Sequence, residues 1–585
     1  MRGVAARFDG HPASPAPRSF RFLDPRETIS AHSAAEVPAL LARVERWAAT
    51  GLHAAGFVAY EAAPAFDPAL ATHPADPRFP LAWFTAFGAR ESIAPPTDHA
   101  AWELLEPWRA ALHAKEYARR VDRVRAWIAA GDCYQANLTF PLRAPFRGEA
   151  AGFYAHLCST QRAGFCALLE TPEWALISAS PELFFRWRGN ELELRPMKGT
   201  RPRGRWPEED RRLAEELHAS PKDRAENLMI VDLLRNDAGR VAEWGSVRVP
   251  RLWEVERYPT VHQLTSTVRA RTRPGTSLLD VFRALFPCGS VTGAPKVRAM
   301  QILRDLEDEP RGVYTGAIGF VSPGEVVFSV AIRTVVARTG AECVELGVGS
   351  GIVWDSQPAD EYAECLTKAA FAAPPAHFDL LETLGWEPGK GYLLLARHLA
   401  RLRWSSERWG FGLDEPRVRR ALEAAVSGVQ TAPDEGRRWR VRLTVSRSGK
   451  ASADADVLPA GWDAPVRVAI DRRPVDSGDP RLDHKTTDRR LYDERRAAHP
   501  EADDVVLTNE RGEVTESTVG NVIAGIGREL LTPPISAGLL PGVLRAALLE
   551  AGEVREQSLR PEDLRRADAV WIVNSVRGWR SASVS

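Results

Sequence analysis

The paired prolines of "KAAFAAPPAHFDLLETLGW", Pro374 and Pro375, constrain this chain more than any other feature. Neither can donate a backbone N–H, and each steers the residue before it away from helix, so regular structure has to stop there. A chain of 585 residues exceeds one ordinary core at about 100 to 200 residues per domain. The break therefore predicts a boundary between a large unit ending at residue 373 and a smaller one over 374–585. A second connector-like stretch, "ESIAPPTDHAAW", sets off a Pro-rich N-terminal subdomain, 1–110, from a denser stretch, 111–373, in which amphipathic helices alternate with strand-like runs. In the smaller unit "SGKASADADVLPAGWDAP" reads as a loop.

Lysine plus arginine and aspartate plus glutamate each number 77, a balance that argues against a nucleic-acid footprint or a polybasic membrane surface and leaves small molecules or proteins as partners. The six cysteines fall in no CxxC pair, so neither a disulfide framework nor a zinc site is expected. No apolar run approaches the roughly 18 residues of a membrane span or forms a signal peptide. The expectation is a cytoplasmic, enzyme-sized protein.

Chemistry first shows in "ELELRPMKGTRPRG". Strand side chains alternate, so Lys198 follows Leu192, Leu194 and Pro196 inward if the strand continues past Pro196. A desolvated lysine amine loses several units of pKa and becomes a nucleophile; a strand-end lysine reaching back to water is the alternative. In "SPKDRAENLMIVDLLRND", Ser220 and Pro221 read as N-cap and first residue of a helix that puts Glu226 on the face of Met229, Ile230 and Leu233. A carboxylate there needs a partner or a cation, or else pairs at the rim near Lys222. "GVGSGIVWDSQPADEYAECLTKAA" gives a glycine-rich turn and a helix with Glu361 and Glu364 on one face. Glu364 can pair with Lys368 at i+4, or join Glu226 on Mg²⁺, which needs few protein ligands.

The ordered motifs "SPELFFRW", "RPMKGTRPRG", "DRAENLMIVDLLRND", "CGSVTGAPKVRAMQIL", "GAIGF", "AIRT" and "GSGIVWDSQPADEYAECLTKA" resemble those of the chorismate-utilising enzymes over about residues 112–372. The resemblance implies antiparallel sheet flanked by helices, with chorismate and Mg²⁺ bound. Within the family, anthranilate synthases look like "PIAGTRPRG" whereas component I of aminodeoxychorismate synthase resembles "PIKGT", so Lys198 points to the latter. It implies that Lys198 attacks C2 of chorismate, that Glu182 is the general acid for the leaving C4 hydroxyl, and that Glu226 and Glu364 hold Mg²⁺. It also implies that Arg333 clamps the enolpyruvyl carboxylate and that the backbone around Thr292, Gly293 and Gly349 approaches substrate; tight turns are the other reading of the glycines. His262 in "YPTVHQLTSTV" is expected at the pocket or as a satisfied core residue. No Gly-x-Cys-x-Gly elbow is present, so a separate glutamine amidotransferase is expected to supply ammonia, and "VAYEAA" stands where relatives carry the "LLES" that senses tryptophan.

Past the prolines, "DLLETLGW", "RHLARLRWSSERWGF", "LDHKTTDRRLYD", "DDVVLTNERGEVTESTVGNV", "LLPGVLRAALLE" and "VWIVNSVRG" resemble the fold-type IV pyridoxal-phosphate enzymes, a family of aminotransferases and 4-amino-4-deoxychorismate lyases. The resemblance makes Lys485 the cofactor-bearing lysine, Glu516 the partner of the pyridinium nitrogen, Arg401, Val543 and Ser575 the phosphate contacts, and Thr383 an aid to proton transfer. The usual strand pair before "ET" is replaced by "AAFAAPPAHF", so the small subdomain is expected to be trimmed or completed by the first unit. The fold expected is thus multidomain, α/β and α+β, with a homodimer through the second unit by analogy. The expected activity is bifunctional, from chorismate through 4-amino-4-deoxychorismate to 4-aminobenzoate, a folate precursor. An anthranilate or isochorismate synthase, an aminotransferase second unit, or one unit degenerate to a binding module are the alternatives.

Overall fold

A computed structural model of the chain describes residues 3–11, 18–97, 100–374, 378–427, 438–459 and 464–584. The chain divides into two compact units, Met1–Arg203 with Arg212–Pro375, and Gly204–Arg211 with Ala376–Ser585. Pro375 itself lies outside the described residues. No helix among the described residues is long and apolar enough to cross a membrane.

In the first unit the described strands form one 19-stranded sheet system. Strands from the N-terminal 110 residues belong to it: Ala5–Asp9 pairs with Phe165–Glu170, and His53–Val58 with Ala317–Ser322, both antiparallel. The strand Trp174–Ser180 shows why its sequence, "WALISAS", lacks a polar face. Its alternate side chains feed two different cores, Ala175, Ile177 and Ala179 one and Trp174 and Leu176 the other, so all seven residues are buried. Each fully buried leucine or isoleucine there contributes roughly 1.5–3 kcal/mol.

The strand Glu191–Arg195 carries Leu192 and Leu194, both 0% exposed, into a third core beside Phe184 and Phe185. Its register with Val261–Arg271 runs unbroken past Pro196, from Leu194 opposite Val268 to Met197 opposite Thr265. Between Met197 and Thr200 the register shifts, and Gly199 takes φ +96°, a conformation that favours glycine. Lys198 therefore sits at a bulge, the irregularity that redirects a side chain out of a strand's alternation. The helix Pro221–Gly239 packs across this region, started by Ser220, whose side chain accepts from the Asp223 amide. The helix Pro358–Ala369 packs on the strand Cys343–Ile352.

The second unit has its own small sheet of four strands, Gly391–Tyr392, Leu380–Glu387, Trp439–Val445 and Ala451–Val457 in that order, covered by the helices Leu395–Trp409 and Glu415–Ser427 around a core that includes Leu384, Leu402 and Leu443. The stretch expected as a loop is corrected here: Ala451–Val457 is a strand paired residue for residue with Trp439–Val445. Its alternation of Ala451, Ala453 and Ala455 with Ser452, Asp454 and Asp456 turns the alanines onto that core and the polar residues outward. A larger sheet of eight strands is mixed, with Val466–Ile470 parallel to both Asp504–Thr508 and Gly578–Val584.

Candidate functional sites

A cavity of about 270 Å³ opens in the first unit, and four separate elements deliver ionisable groups to it. The bulge brings Lys198, the turn before Leu183–Arg188 brings Glu182, the helix Pro221–Gly239 brings Glu226, and the helix Pro358–Ala369 brings Glu361, Glu364 and Lys368. Arg333 and Gly349 line it too. Thr292, Gly293 and His262 are not among the residues that line it.

Glu182 is 2% exposed, and its Oε1 accepts a hydrogen bond from Ser290 Oγ at 2.7 Å. Burial raises its pKa to about 7, outweighing the opposing pull of Ser290 and of Lys198, so near neutral pH it holds a proton it can give. Burial likewise lowers Lys198 below the ordinary lysine value, against the charge of Glu226 and with help from Lys368. The pair has the complementary character that an acid and a nucleophile require.

Glu226 accepts no hydrogen bond among the described residues, and burial raises its pKa above the usual carboxylate value. Glu364 differs: burial works to raise it, but Lys368, at 2.6 Å, more than compensates and holds it low. The i+4 pair thus forms. Lys368 Nζ also donates to the Gly349 carbonyl at 3.0 Å. Glu361 is engaged by the hydroxyls of Ser350 and Ser356. No group of three or more His, Cys, Asp or Glu arranged to hold a metal occurs among the described residues.

Arg333 occupies the left-handed region, φ 50°, and its guanidinium donates to Gln161 Oε1. Burial pushes its pKa down to about 10, against the pull of Tyr258. Gly293 has φ +148°, and a Cβ there would stand 2.2 Å from the Gln135 carbonyl oxygen; at Gly349 it would stand 2.7 Å from Thr139 Cγ2. Both glycines permit close strand packing. Thr292 is buried and gives its hydroxyl to the Cys288 carbonyl, and His262 lies fully buried in the strand Val261–Arg271.

In the second unit Lys485 is desolvated, and burial, with Arg401 assisting, lowers its amine to about 8. The Leu381 amide donates to its carbonyl at 2.9 Å, fixing its backbone to the small sheet. Glu516 is 4% exposed, accepts from Tyr492 Oη at 2.8 Å, and is raised by burial to about 7. Arg401 donates from Nε and Nη2 to the two oxygens of Glu382 at 2.9 and 2.6 Å, and from Nη1 to the Pro541 carbonyl at 3.2 Å. Those bonds use three of the five guanidinium N–H groups and leave two. Pro541 leads into the helix Val543–Glu550, so Arg401 and the amide of Val543 belong to one neighbourhood. Ser575 Oγ donates to the carbonyl of Thr383 at 3.5 Å. Glu382, which carries no signal of its own in the sequence although it stands beside Thr383, also accepts from His398 at 2.7 Å, and Arg401 together with that hydrogen bond holds it at about 2 despite burial.

Residues 11–374 match the family model of chorismate binding enzymes, well over half of the chain. The chain belongs to the chorismate binding enzymes. Residues 379–584 match the amino-transferase class IV family, so this family member carries a second, class IV domain, whose cofactor by implication is pyridoxal phosphate. Aminodeoxychorismate synthase component 1 of Klebsiella aerogenes is 45% identical over 294 residues, 50% of this chain and 63% of that protein. Anthranilate synthase component 1 of Streptomyces coelicolor is also 45% identical, over 287 residues, 48% of this chain and 55% of that protein. The chain thus spans less than two thirds of the length of these curated relatives. Among solved structures, anthranilate synthase component I from Streptococcus pneumoniae superposes with a TM-score of 0.54 at 26% identity, covering 62% of this chain and 93% of that one.

Proposed function

We propose that the chain makes 4-aminobenzoate in two steps, aminating chorismate to 4-amino-4-deoxychorismate in the first unit and eliminating pyruvate from it in the second. The observation that carries the reading is the pairing in one cavity of a desolvated amine, Lys198, with a buried carboxyl, Glu182, whose pKa of about 7 lets it act as an acid. Equal identity to an aminodeoxychorismate synthase and an anthranilate synthase leaves that lysine as the discriminating residue.

In the first step Lys198 Nζ bonds to C2 of the ring while the C4–O bond breaks and Glu182 gives its proton to the departing hydroxyl, which leaves as water. Ammonia then bonds to C4, the C2–N bond breaks, and the lysine is regenerated. Arg333 would bind the enolpyruvyl carboxylate. Glu226, whose half-buried carboxylate accepts no hydrogen bond among the described residues, and Glu364 face one cavity from two helices, a donor set that fits Mg²⁺, which would supply positive charge for a substrate carboxylate. Ammonia would come from a separate glutamine amidotransferase subunit.

In the second unit a desolvated amine, a buried carboxyl and a guanidinium beside a helix start fit pyridoxal phosphate, which supplies an electron sink when bound. Lys485 would take the C4 proton as the enolpyruvyl C–O bond breaks and the ring becomes aromatic. Glu516 would hold the proton at the pyridinium nitrogen, while Arg401, the Val543 amide and Ser575 would hold the phosphate, with Thr383 close by to steady the moving proton. A homodimer through this unit completes the proposal.

The test is to incubate the chain with chorismate, Mg²⁺ and an ammonium salt, with and without pyridoxal phosphate, and identify the products. The reading expects 4-aminobenzoate with the cofactor and aminodeoxychorismate without it. Anthranilate as the main product contradicts the assignment of Lys198, and aminodeoxychorismate that accumulates regardless of cofactor contradicts the lyase step.

A further inference from the structure

The strand Gln135–Gly148 begins with a side chain that is 1% exposed, and neither its Nε2 nor its Oε1 finds a hydrogen-bond partner among the described residues. Buried carboxamides are nearly always paired, so an orphan of this kind marks a group held for something other than the fold. A neighbouring glycine defines where it points. A Cβ built on Gly351 would stand 2.3 Å from Gln135 Nε2 and 2.3 Å from Lys198 Nζ. The two nitrogens converge on one spot and lie no further apart than twice that distance.

The backbone leaves Gln135 little choice of direction. Gln135 is paired with Ala294, and the next residue, Ala136, with both Gly293 and Ile352, so the side chain starts in the sheet beside the strand that carries Gly351. Gln135 does not line the cavity, whereas Lys198 and Gly351 do. The carboxamide therefore lies outside the cavity lining and next to the amine, at Gly351.

We propose that Gln135 is the positioning residue for Lys198, holding the ε-amine against Gly351 so that its lone pair is presented to the cavity. The inference rests on the reading of Lys198 as the nucleophile. Nε2 faces the amine and can only donate; a half-turn of the neutral carboxamide presents Oε1 there instead, which accepts an amine N–H without carrying charge. Carboxylates already face this lysine from two helices, Glu226 on one and Glu361 and Glu364 on the other, with Glu182 on the strand side and Lys368 as the opposing cation. A further acid at 135 would favour the ammonium form, which has no lone pair to offer. Gly351 is the other half of the device, because any side chain there would occupy the space in which the two nitrogens meet.

The test uses the full chain with chorismate and Mg²⁺ but no ammonia, so that the ring stays on Lys198, and follows the adduct by rapid quench and mass spectrometry. Chorismate affinity is read separately from tryptophan fluorescence. Gln135→Leu is expected to slow adduct formation roughly a hundredfold, the scale of a misplacement of about 1 Å, while chorismate affinity stays within about twofold. Gly351→Ala, which removes no polar group, is expected to do the same and serves if the leucine variant fails to fold. Adduct formation at the wild-type rate in either folded variant overturns the role of Gln135. Absence of any adduct in the wild-type chain instead overturns the reading of Lys198, and this inference with it.

Discussion

Ser290 Oγ donates to Glu182 Oε1 at 2.7 Å across 108 positions of sequence, and the carboxyl it touches is one that burial has raised from its ordinary 4.5 to about 7. The hydroxyl favours the ionised form and the surrounding protein the neutral one, and the protein wins. That balance is what makes Glu182 an acid at neutral pH.

Glu182→Gln is expected to lower the amination rate by roughly 10²–10⁴-fold, the usual worth of a positioned general acid. It is expected at the same time to stabilise the fold above pH 7. Because the folded-state pKa lies above the unfolded one, burial of Glu182 is tolerated at low pH and penalised as pH rises from 4.5 through about 7. Activity assays and thermal unfolding at pH 6 and pH 8 check both signs, and an equal loss of stability at both values would refute the account of the shift.

Ser290→Ala removes a hydrogen bond that favours the carboxylate, so Glu182 would titrate higher still. The alkaline limb of the amination rate is expected to move to higher pH, and a pH–rate profile of the variant against wild type measures it. A shift to lower pH would mean that another group controls that limb.

Glu382→Gln breaks the pairing of one buried carboxylate with Arg401 and His398. Removing one partner of such a group costs roughly 3–5 kcal/mol. The folded-state pKa of about 2 lies below the ordinary value, so the wild-type contribution is complete above pH 4.5 and is lost as pH falls towards 2. Denaturant unfolding of the variant at neutral pH, with retention of pyridoxal phosphate followed by its visible absorbance, tests the loss of both stability and Arg401 placement.

Gly293→Ala would press a Cβ to 2.2 Å from a backbone oxygen at φ +148°. The strain is of order 1–3 kcal/mol or more. Gly131→Ala, which meets nothing within 4 Å although its φ is also positive, is the control. A larger loss of unfolding free energy at 293 than at 131 is the expected outcome.

Much of the candidate site is legible in the sequence, and the reasons are local. Ser220 followed by proline announced the helix that carries Glu226, and the spacing of Glu361, Glu364 and Lys368 placed them on one face. The alternation of Leu192 and Leu194 pointed Lys198 inward, although only the bulge at Gly199 shows how it reaches the cavity. What escaped depends on distant parts of the chain meeting. Ser290 and Gln135 carry no local signal, since each matters through a side chain from elsewhere in the sheet. Glu382 lies within "DLLETLGW", but its importance comes from Arg401, 19 residues on. The strand Ala451–Val457 was hidden by its composition, because alanine and aspartate rarely signal a strand even when they alternate.

The most direct test of the whole account is Lys198→Ala, assayed with chorismate, Mg²⁺, an ammonium salt and pyridoxal phosphate. The account predicts that formation of aminodeoxychorismate, and hence of 4-aminobenzoate, is abolished while the visible absorbance of the bound cofactor is unchanged. Full retention of aminodeoxychorismate formation by the variant would contradict it.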